Sequence, residues 1–467
     1  MKEKRKDPIQ LSDHFTFGRL IRFVLPSILM MVFMSIYTVV DGLFISNYAG
    51  KIPFTAINLI WPPIMIVTSV GFMYGTGGSA LIGKLLGEGK EQKAKEVFTM
   101  VVVASVITGF ILGGLGVIFT PQIATWMGAK GEVHTYAVKY GRWLFAAMPF
   151  AMLQYEFQGL CNTAEKPIFG MITTIAAGCM NIVLDGVFVG AFGWGLDGAA
   201  AATVASQIVG GIIPIIYFAR KNPTKLRLCK YKTDFKALGH VVGNGSSELL
   251  TNIAMSVVSI LYNRQLLNLI GENGVAAYGV IAYLLQVFSA VFMGFAVATS
   301  PITSYNLGAK NQKEMRSVLA KSLIFIACTA LVMVALAEGL AGPLSKLFFS
   351  YDDELYSLTK HAFRISSFQF AFMGIAMFGS SYFTALNNGL ISAIIASLRT
   401  LVFQIAFVYL MPLIWGADGI WASLIGAEFV CSVLVIIFLL AFEKKYGYGF
   451  WKKRPKEETP APVEEVK

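Results

Sequence analysis

The sequence predicts an all-α integral membrane protein with twelve transmembrane helices, arranged as two six-helix bundles related by a pseudo-two-fold axis along the membrane normal. The 467-residue chain is 56% hydrophobic and only 14% charged, with a mean hydropathy of +0.64. About twelve apolar stretches are each long enough to cross a hydrocarbon core of roughly 30 Å as a helix. The third observation is that the second half of the chain repeats the first.

The repeat is visible in one short motif. WGLDGAAAA begins at Trp194, and WGADGIWAS begins 221 residues later at Trp415. The same offset, without a gap, aligns Gly87 with Gly308. A single register across six predicted helices indicates a unit used twice. Because six is even, both units enter the membrane in the same direction, and the axis that relates them runs along the membrane normal.

Charge placement predicts the orientation. The net charge is +11, and the basic residues lie in alternate connections between the predicted helices. This placement fits a positive-inside membrane protein better than a nucleic-acid-binding surface, and it puts both termini in the cytoplasm. The predicted location is the bacterial plasma membrane. The predicted segments are a cytoplasmic N-terminal segment (1–17), a first lobe (18–219), a cytoplasmic linker (220–239), a second lobe (240–443) and a disordered cytoplasmic tail (444–467).

One acidic residue stands inside the first predicted helix, in the stretch SIYTVVDGLFISNYAG. Leaving the charge of Asp41 in an apolar environment is costly unless it is neutralised or paired. The fifth predicted helix places Asp185 at a similar depth, with Asn181 on the same face, and the sixth adds Thr203. Tyr37 lies one turn before Asp41. We therefore predict a site for H+ or Na+ in the first lobe. If the ion is Na+, Asp41 and Asp185 hold it, and no other metal site is predicted.

An alternative is that Asp41 only accepts hydrogen bonds or pairs with a base on a neighbouring helix. We disfavour this alternative because no Lys or Arg of the first lobe is predicted at that depth. The repeat adds that the site is asymmetric, since Asp41 maps onto Tyr262 and Asp185 maps onto Ala406. The cation site is predicted in the first lobe only.

Other polar residues leave two interpretations open. Arg399 and Glu428 fall near mid-membrane on sequential antiparallel helices, and we expect a buried pair that is either structural or part of coupling. Glu156 and Glu248 lie nearer the cytoplasmic helix ends, where contacts with loops or solvent are the simpler explanation.

Candidates for a substrate cavity and for a moving helix come from the same helices. Tyr37, Met65 and Gln154 combine aromatic, thioether and amide groups of the kind that accommodate varied organic cations. Pro26 is expected to bend the first helix.

The quoted motifs resemble the multidrug and toxic compound extrusion (MATE) family, in its bacterial MepA-like branch. The resemblance rests on LPSILMMVFMSIYTVVDGLFISNYAG in the first helix, GTGGSALIGKLLGEGKEQKA after the second, NIVLDGVFVG in the fifth and GLDGAAAATVAS in the sixth. It implies two bundles around a central cleft, and it places the family's first-lobe cation residues on Asp41, Asn181, Asp185 and Thr203. Relatives with an acidic second-lobe site differ, because this chain has no Asp or Glu between Leu355 and Gly416.

The function predicted from these observations is secondary active export of cationic amphipathic drugs against H+ or Na+, by alternating access. We expect no cofactor, no nucleic-acid partner, no enzymatic activity and a monomer in the lipid bilayer. A lipid-linked oligosaccharide flippase of the same superfamily is the alternative transporter. An integral-membrane enzyme is a remote alternative.

Overall fold

The computed structural model describes residues 9–44, 51–349 and 352–449. Residues 1–8 of the predicted N-terminal segment and residues 450–467 of the predicted C-terminal tail therefore lie outside the described residues. Regular structure in the described ranges is entirely helical. The helices, in chain order, are α1 (Phe17–Phe44), α2 (Lys51–Gly87), α3 (Glu91–Trp126), α4 (Gly131–Ala146), α5 (Met148–Thr163), α6 (Pro167–Asp185), α7 (Gly195–Ala219), α8 (Phe235–Leu269), α9 (Glu272–Gly308), α10 (Gln312–Phe348), α11 (Asp353–Ser367), α12 (Phe370–Ala385), α13 (Gly389–Ser397), α14 (Gln404–Trp415) and α15 (Ala417–Tyr446).

These helices form the predicted twelve membrane crossings, although several crossings are broken. In the described ranges, nine helices are long and apolar enough to span a membrane, and the α11–α12 pair, bent by 51°, makes a tenth. The other two crossings are α8, which is more polar, and α4–α5, which breaks at Ala147 before Pro149. Proline at the start of α5 explains the break, because its nitrogen donates no hydrogen bond.

Two short π-helical segments lie in crossings that contain Asp185 and Arg399. One, Gly186–Ala191, begins directly after Asp185, and the other, Leu398–Phe403, contains Arg399. Such segments shift the register of a helix and are frequent at functional positions. No residue pattern in the sequence predicts them.

Each half of the chain has its own apolar core. We call α1–α7 the first lobe and α8–α15 the second lobe. The side of the protein on which α2 ends and α3 begins is called the basic side. One core is built mainly from α2 to α7 and the other mainly from α9 to α15. The domain limits given above stay a prediction.

The two lobes pack closely on the basic side, where α2 crosses α9. A Cβ atom on Gly87 would clash with the backbone oxygen of Tyr305, and one on Gly308 would clash with that of Lys84. Gly87 and Gly308 are equivalent in the repeat, so the contact is reciprocal. The pseudo-two-fold axis therefore passes through this crossing, and glycine is needed there because the two backbones touch.

Helix α1 belongs to both lobes. The part of α1 near the basic side, including Phe23 and Ile28, lies in the core of the second lobe. Its far half carries Asp41 and packs beside α6 of the first lobe. A movement of α1 at its far end is thus mechanically connected to the packing between lobes at the basic side.

Residues 9–16, which we call the N-terminal strap, fasten both lobes on the basic side. The backbone N–H of Leu11 donates to Glu165 Oε1 at 2.8 Å, in the α5–α6 connection. The backbone N–H of Phe15 donates to Glu314 Oε1 of α10 at 2.8 Å, and His14 Nδ1 lies 2.6 Å from Glu314 Oε2. Burial raises the pKa of Glu165, and the Leu11 N–H opposes this rise. Leu11 and Phe15 are themselves fully buried.

A second link joins the lobes at the start of α8. Asp234 caps this helix by accepting from the Ala237 N–H at 3.0 Å, and Lys93 of α3 donates to it at 2.9 Å. The backbone donor and then the lysine hold the pKa of Asp234 below its usual value.

Candidate functional site

Two carboxyl groups meet in the far half of the first lobe. Asp185, at the end of α6, is fully buried, and neither of its oxygens has a hydrogen-bond donor in the described structure. Asp41 of α1 is half-buried, and its Oδ1 is also without a donor. The two carboxyl groups lie within hydrogen-bonding reach of each other. A proton on either acid would join them, and a bound cation would neutralise them equally well.

The two other residues predicted with them are placed on adjacent helices. Asn181 lies one turn before Asp185 on α6, is 1% exposed, and has no hydrogen-bond partner for either side-chain atom in the described residues. Thr203 of α7 is buried, and its hydroxyl donates to the Ala199 oxygen at 3.0 Å. This hydroxyl oxygen and the Asn181 amide oxygen are the ligand types that hard cations prefer.

Two tyrosines, Tyr37 and Tyr140, interact electrostatically with both acids, and a third lies near Tyr37; only Tyr37 is predicted from the sequence. Tyr37 stacks on Phe33, with ring centroids 6.3 Å apart. Tyr140 of α4 places its hydroxyl beside Thr203 and interacts electrostatically with both acids. Tyr155 of α5 interacts with Tyr37. No sequence motif marks Tyr140 and Tyr155 as residues of the site. They reach it because of the bend between α4 and α5, which the sequence does not reveal.

The expectation that no Lys or Arg of the first lobe lies at the depth of Asp41 is wrong. Lys139 and Arg142 flank Tyr140 on α4, so basic residues do occur at this level of the first lobe. They lie on the exposed face of α4, whereas Tyr140 lies on the buried face. Lys139 pairs with Asp197 of α7. Neither base forms an ion pair with Asp41 or Asp185 in the described structure, because helical geometry turns them away from the site.

The predicted cavity residues are in different surroundings. Met65 of α2 is half-buried. Gln154 is only 7% exposed and packs against Gly210 of α7, inside the first lobe. Pro26 lies inside α1 and leaves the helix continuous from Phe17 to Phe44.

The second lobe has a different arrangement at the equivalent place. Tyr262, the repeat counterpart of Asp41, is fully buried, and its hydroxyl lies 2.7 Å from Ser423 Oγ of α15. The hydroxyl groups of Tyr262 and Ser423 hydrogen-bond to each other, and neither residue supplies a carboxylate. This contrasts with the unsatisfied acids of the first lobe.

Arg399 and Glu428 form a bidentate ion pair in the second lobe, and Glu428 is within electrostatic range of Tyr262. Arg399 Nε lies 2.9 and 3.0 Å from the two Glu428 oxygens, and Nη2 lies 2.8 Å from Oε1. Glu428 is 1% exposed. Glu248 of α8 is within electrostatic range of Arg399 but forms no ion pair with it in the described structure. The π-helical segment of Arg399 turns its side chain toward α15.

Glu156 is a further buried acid in the first lobe. It lies on α5, is fully buried, and packs its backbone against Gly75 of α2. The side chain of Ser105 of α3 interacts with its carboxyl group. No group of three or more His, Cys, Asp or Glu side chains that could bind a metal occurs in the described ranges.

Comparison with known proteins identifies the family. A model of the MatE family matches residues 26–187 and 249–410, one segment in each lobe and more than half of the chain together. The chain belongs to the MatE family. Members of this family are membrane transporters, not enzymes. This confirms the predicted family, fold class and lack of enzymatic function.

Relatives of this MatE-family chain extend over nearly its whole length. "Multidrug export protein MepA" of Staphylococcus haemolyticus is 27% identical over 438 residues, covering 92% of this chain and 94% of the relative. A protein of the same name from Staphylococcus aureus is 25% identical over 427 residues, with 91% and 94% covered. Among solved structures, an outward-facing multidrug resistance MATE family transporter of the MOP superfamily superposes with a TM-score of 0.90. It is 22% identical, and 96% of this chain and all of that chain are covered.

Proposed function

We propose that this MatE-family chain is a multidrug efflux transporter that exports cationic amphipathic compounds in exchange for H+ or Na+. The observation that carries the proposal is the pair of Asp41 and Asp185 in a membrane-spanning lobe, where Asp41 Oδ1 and both Asp185 oxygens have no hydrogen-bond donor among the described residues. A pair of carboxylates in that environment requires a counter-ion, and a proton or a sodium ion supplies it. The names of the MepA relatives support drug export as the transported class.

In the proposed cycle the basic side faces the cytoplasm, as the positive-inside rule predicts. Lobe contacts at Gly87 and Gly308 close that side, so the central cleft opens to the outside. Cation binding at the acid pair removes repulsion between Asp41 and Asp185 and favours a shift of the far half of α1. The bound drug then leaves outward because the two states of the transporter bind it with different affinities.

Exchange of Asp41 tests this function. Asp41→Asn keeps the size and polarity of the side chain but removes its charge, so we expect loss of coupled efflux with the protein still folded in the membrane. Ethidium accumulation in cells that express each variant measures efflux. Asp418→Asn, which removes an exposed acid paired with His361, is the matched control and should retain efflux. Efflux by Asp41→Asn equal to the wild type would contradict the proposal.

The coupling ion requires purified protein in vesicles. Ethidium transport is measured with either a pH gradient or a sodium gradient as the only driving force. Transport with one gradient and not the other identifies the ion, and transport with neither contradicts coupling at the acid pair. We further propose that the transporter works as a monomer in the bacterial plasma membrane.

A further inference from the structure

A groove on the first lobe lies outside the acid site and faces away from the second lobe. It has a volume of about 610 Å³ and runs between α3 and α4. The side chains of α4 that line it recur every three or four residues and so form one helix face; they are His134, Thr135, Val138, Lys139, Arg142, Trp143 and Ala146. Pro121 of α3 forms the opposite wall, and its backbone oxygen lies 3.1 Å from His134 Nε2.

The groove lies at the membrane boundary opposite the basic side. Lys139 pairs with Asp197, which is in the first turn of α7, so the groove is level with the start of a membrane crossing. Three exposed tryptophans, Trp126, Trp143 and Trp194, lie on the same side of the protein. Tryptophan at this level is typical of the interface between lipid headgroups and acyl chains.

Arg142 is the unpaired charge of the groove. It lies about one helical turn deeper than Lys139 on the exposed face of α4. No acidic side chain pairs with Arg142 in the described structure, whereas Lys139 is neutralised by Asp197. A guanidinium at the headgroup level attracts anionic groups, and the neighbouring helices provide none in the described structure.

In the second lobe, an arginine on the corresponding helix has an acidic partner at the protein surface. Arg364 of α11 lies one position from the repeat counterpart of Arg142. Its Nε is 3.7 Å from Glu338 Oε2 of α10. The counterpart of Glu338 in the first lobe is Val117 of α3. The first lobe thus has an arginine one position away on the corresponding helix and no acid at the position of Glu338.

We propose that the α3–α4 groove binds a membrane phospholipid, with the lipid phosphate bonded to Arg142. A guanidinium forms bidentate, charge-assisted hydrogen bonds to phosphate oxygens. The groove is largely apolar beside Arg142, and Ile118, one turn from Pro121 on α3, is 65% exposed and continues the apolar surface toward the membrane interior. A cationic head region with an apolar extension fits a phospholipid better than a free phosphate ion. Under the orientation proposed above, this lipid belongs to the outer leaflet.

Native mass spectrometry of the purified protein with added phosphatidylglycerol tests the site. We expect the wild type to retain one bound lipid. Arg142→Gln should bind this lipid at least about tenfold more weakly, because the variant loses a charged hydrogen-bond donor. Lys130→Gln removes an exposed basic residue just before α4, outside the groove, and should bind like the wild type. Gel filtration confirms that each variant is folded and monodisperse.

A second variant restores the acid that the first lobe lacks. Val117→Glu places a carboxylate where the second lobe has Glu338, so it should pair with Arg142 and weaken lipid binding while the arginine is retained. Lipid binding by Arg142→Gln equal to the wild type would overturn the proposal. Equal displacement of the lipid by inorganic phosphate alone would also overturn it, because the apolar part of the groove would then contribute nothing. Neither result depends on drug transport, so this inference and the proposed function fail separately.

Discussion

Tyr140 is the residue through which α4 reaches the acid pair. It is 1% exposed, and its hydroxyl lies beside Thr203 while its ring is held between buried helices. Because α4 otherwise contributes only apolar groups to the inside of the first lobe, the hydroxyl is its contribution to the polarity of the site. Tyr140 therefore differs from Asp41 in adding polarity without charge.

Tyr140→Phe should lower coupled efflux several-fold without abolishing it. The substitution removes one hydroxyl from the site and leaves both carboxylates and the packing in place. Tyr136→Phe, on the same helix and only half-buried, is the control and should have no effect. Ethidium efflux compared among the three proteins measures the difference, and a complete loss like that expected of Asp41→Asn would argue against this limited role.

The Arg399–Glu428 pair makes a separate prediction about stability. Glu428→Gln leaves the guanidinium of Arg399 buried without its main partner, and we expect a loss of about 3–5 kcal/mol. The double variant Arg399→Met with Glu428→Leu should be much less destabilised, because no charge is left unpaired. Thermal unfolding in detergent measures both. Equal stability of Glu428→Gln and the wild type would indicate that Glu248 takes over as the partner of Arg399.

At the scale of whole elements, the N-terminal strap and α1 form one continuous connection from the basic side to the acid pair. The strap bonds to Glu165 in the first lobe and to Glu314 in the second. Opening the basic side requires the lobes to separate there, so one of these contacts must break. The strap therefore favours the state in which the basic side is closed.

The double variant Glu165→Gln with Glu314→Gln should shift the protein toward the state open on the basic side. Amide groups accept weaker hydrogen bonds than carboxylates, and the His14 contact loses its charge. Spin labels at Gln92 of α3 and Lys313 of α10, both exposed, report the separation of the lobes by pulsed electron paramagnetic resonance. We expect a larger population at long distance, and an unchanged distance distribution would contradict a closing role for the strap.

On the scale of the whole molecule, two similar lobes meet at one crossing. The reciprocal glycines show that the closed basic side depends on backbone contact between α2 and α9 and not on side-chain bonds alone. The duplicated architecture places this contact on the pseudo-two-fold axis. A small change there affects both lobes equally.

Gly308→Ala should prevent full closure of the basic side. Its Cβ would meet the backbone of Lys84, which cannot move without shifting α2. The same spin-label pair should report a longer distance, and efflux should fall by tenfold or more. Gly114→Ala in α3, where a Cβ has no neighbour within 4 Å, is the matched control. A normal distance and normal efflux in Gly308→Ala would contradict closure through this crossing.

The sequence predicts the features that follow from local composition. Helices appear where apolar stretches are long enough to span the bilayer, because backbone polar groups must be bonded within each segment. The repeat predicts the two lobes, and the fixed period of the helix correctly places Asn181 and Asp185 on one face of α6. The sequence does not reveal the bend at Ala147, so it misses Tyr140 and misjudges where Lys139 and Arg142 lie.

By itself, the sequence determines the fold class, the duplication and the presence of two acids in the first lobe, since these depend on hydrophobic length, a single offset and residue identity. Only the tertiary structure decides which polar side chains form hydrogen bonds or ion pairs with each other. In the described residues, Arg364 pairs with Glu338 whereas Arg142 pairs with no acid. The hydroxyl of Tyr262 bonds to Ser423, whereas Asp41 and Asp185 face each other. The reason is that the partner of a buried polar group lies on another helix, and packing across the whole lobe determines which helix face it meets.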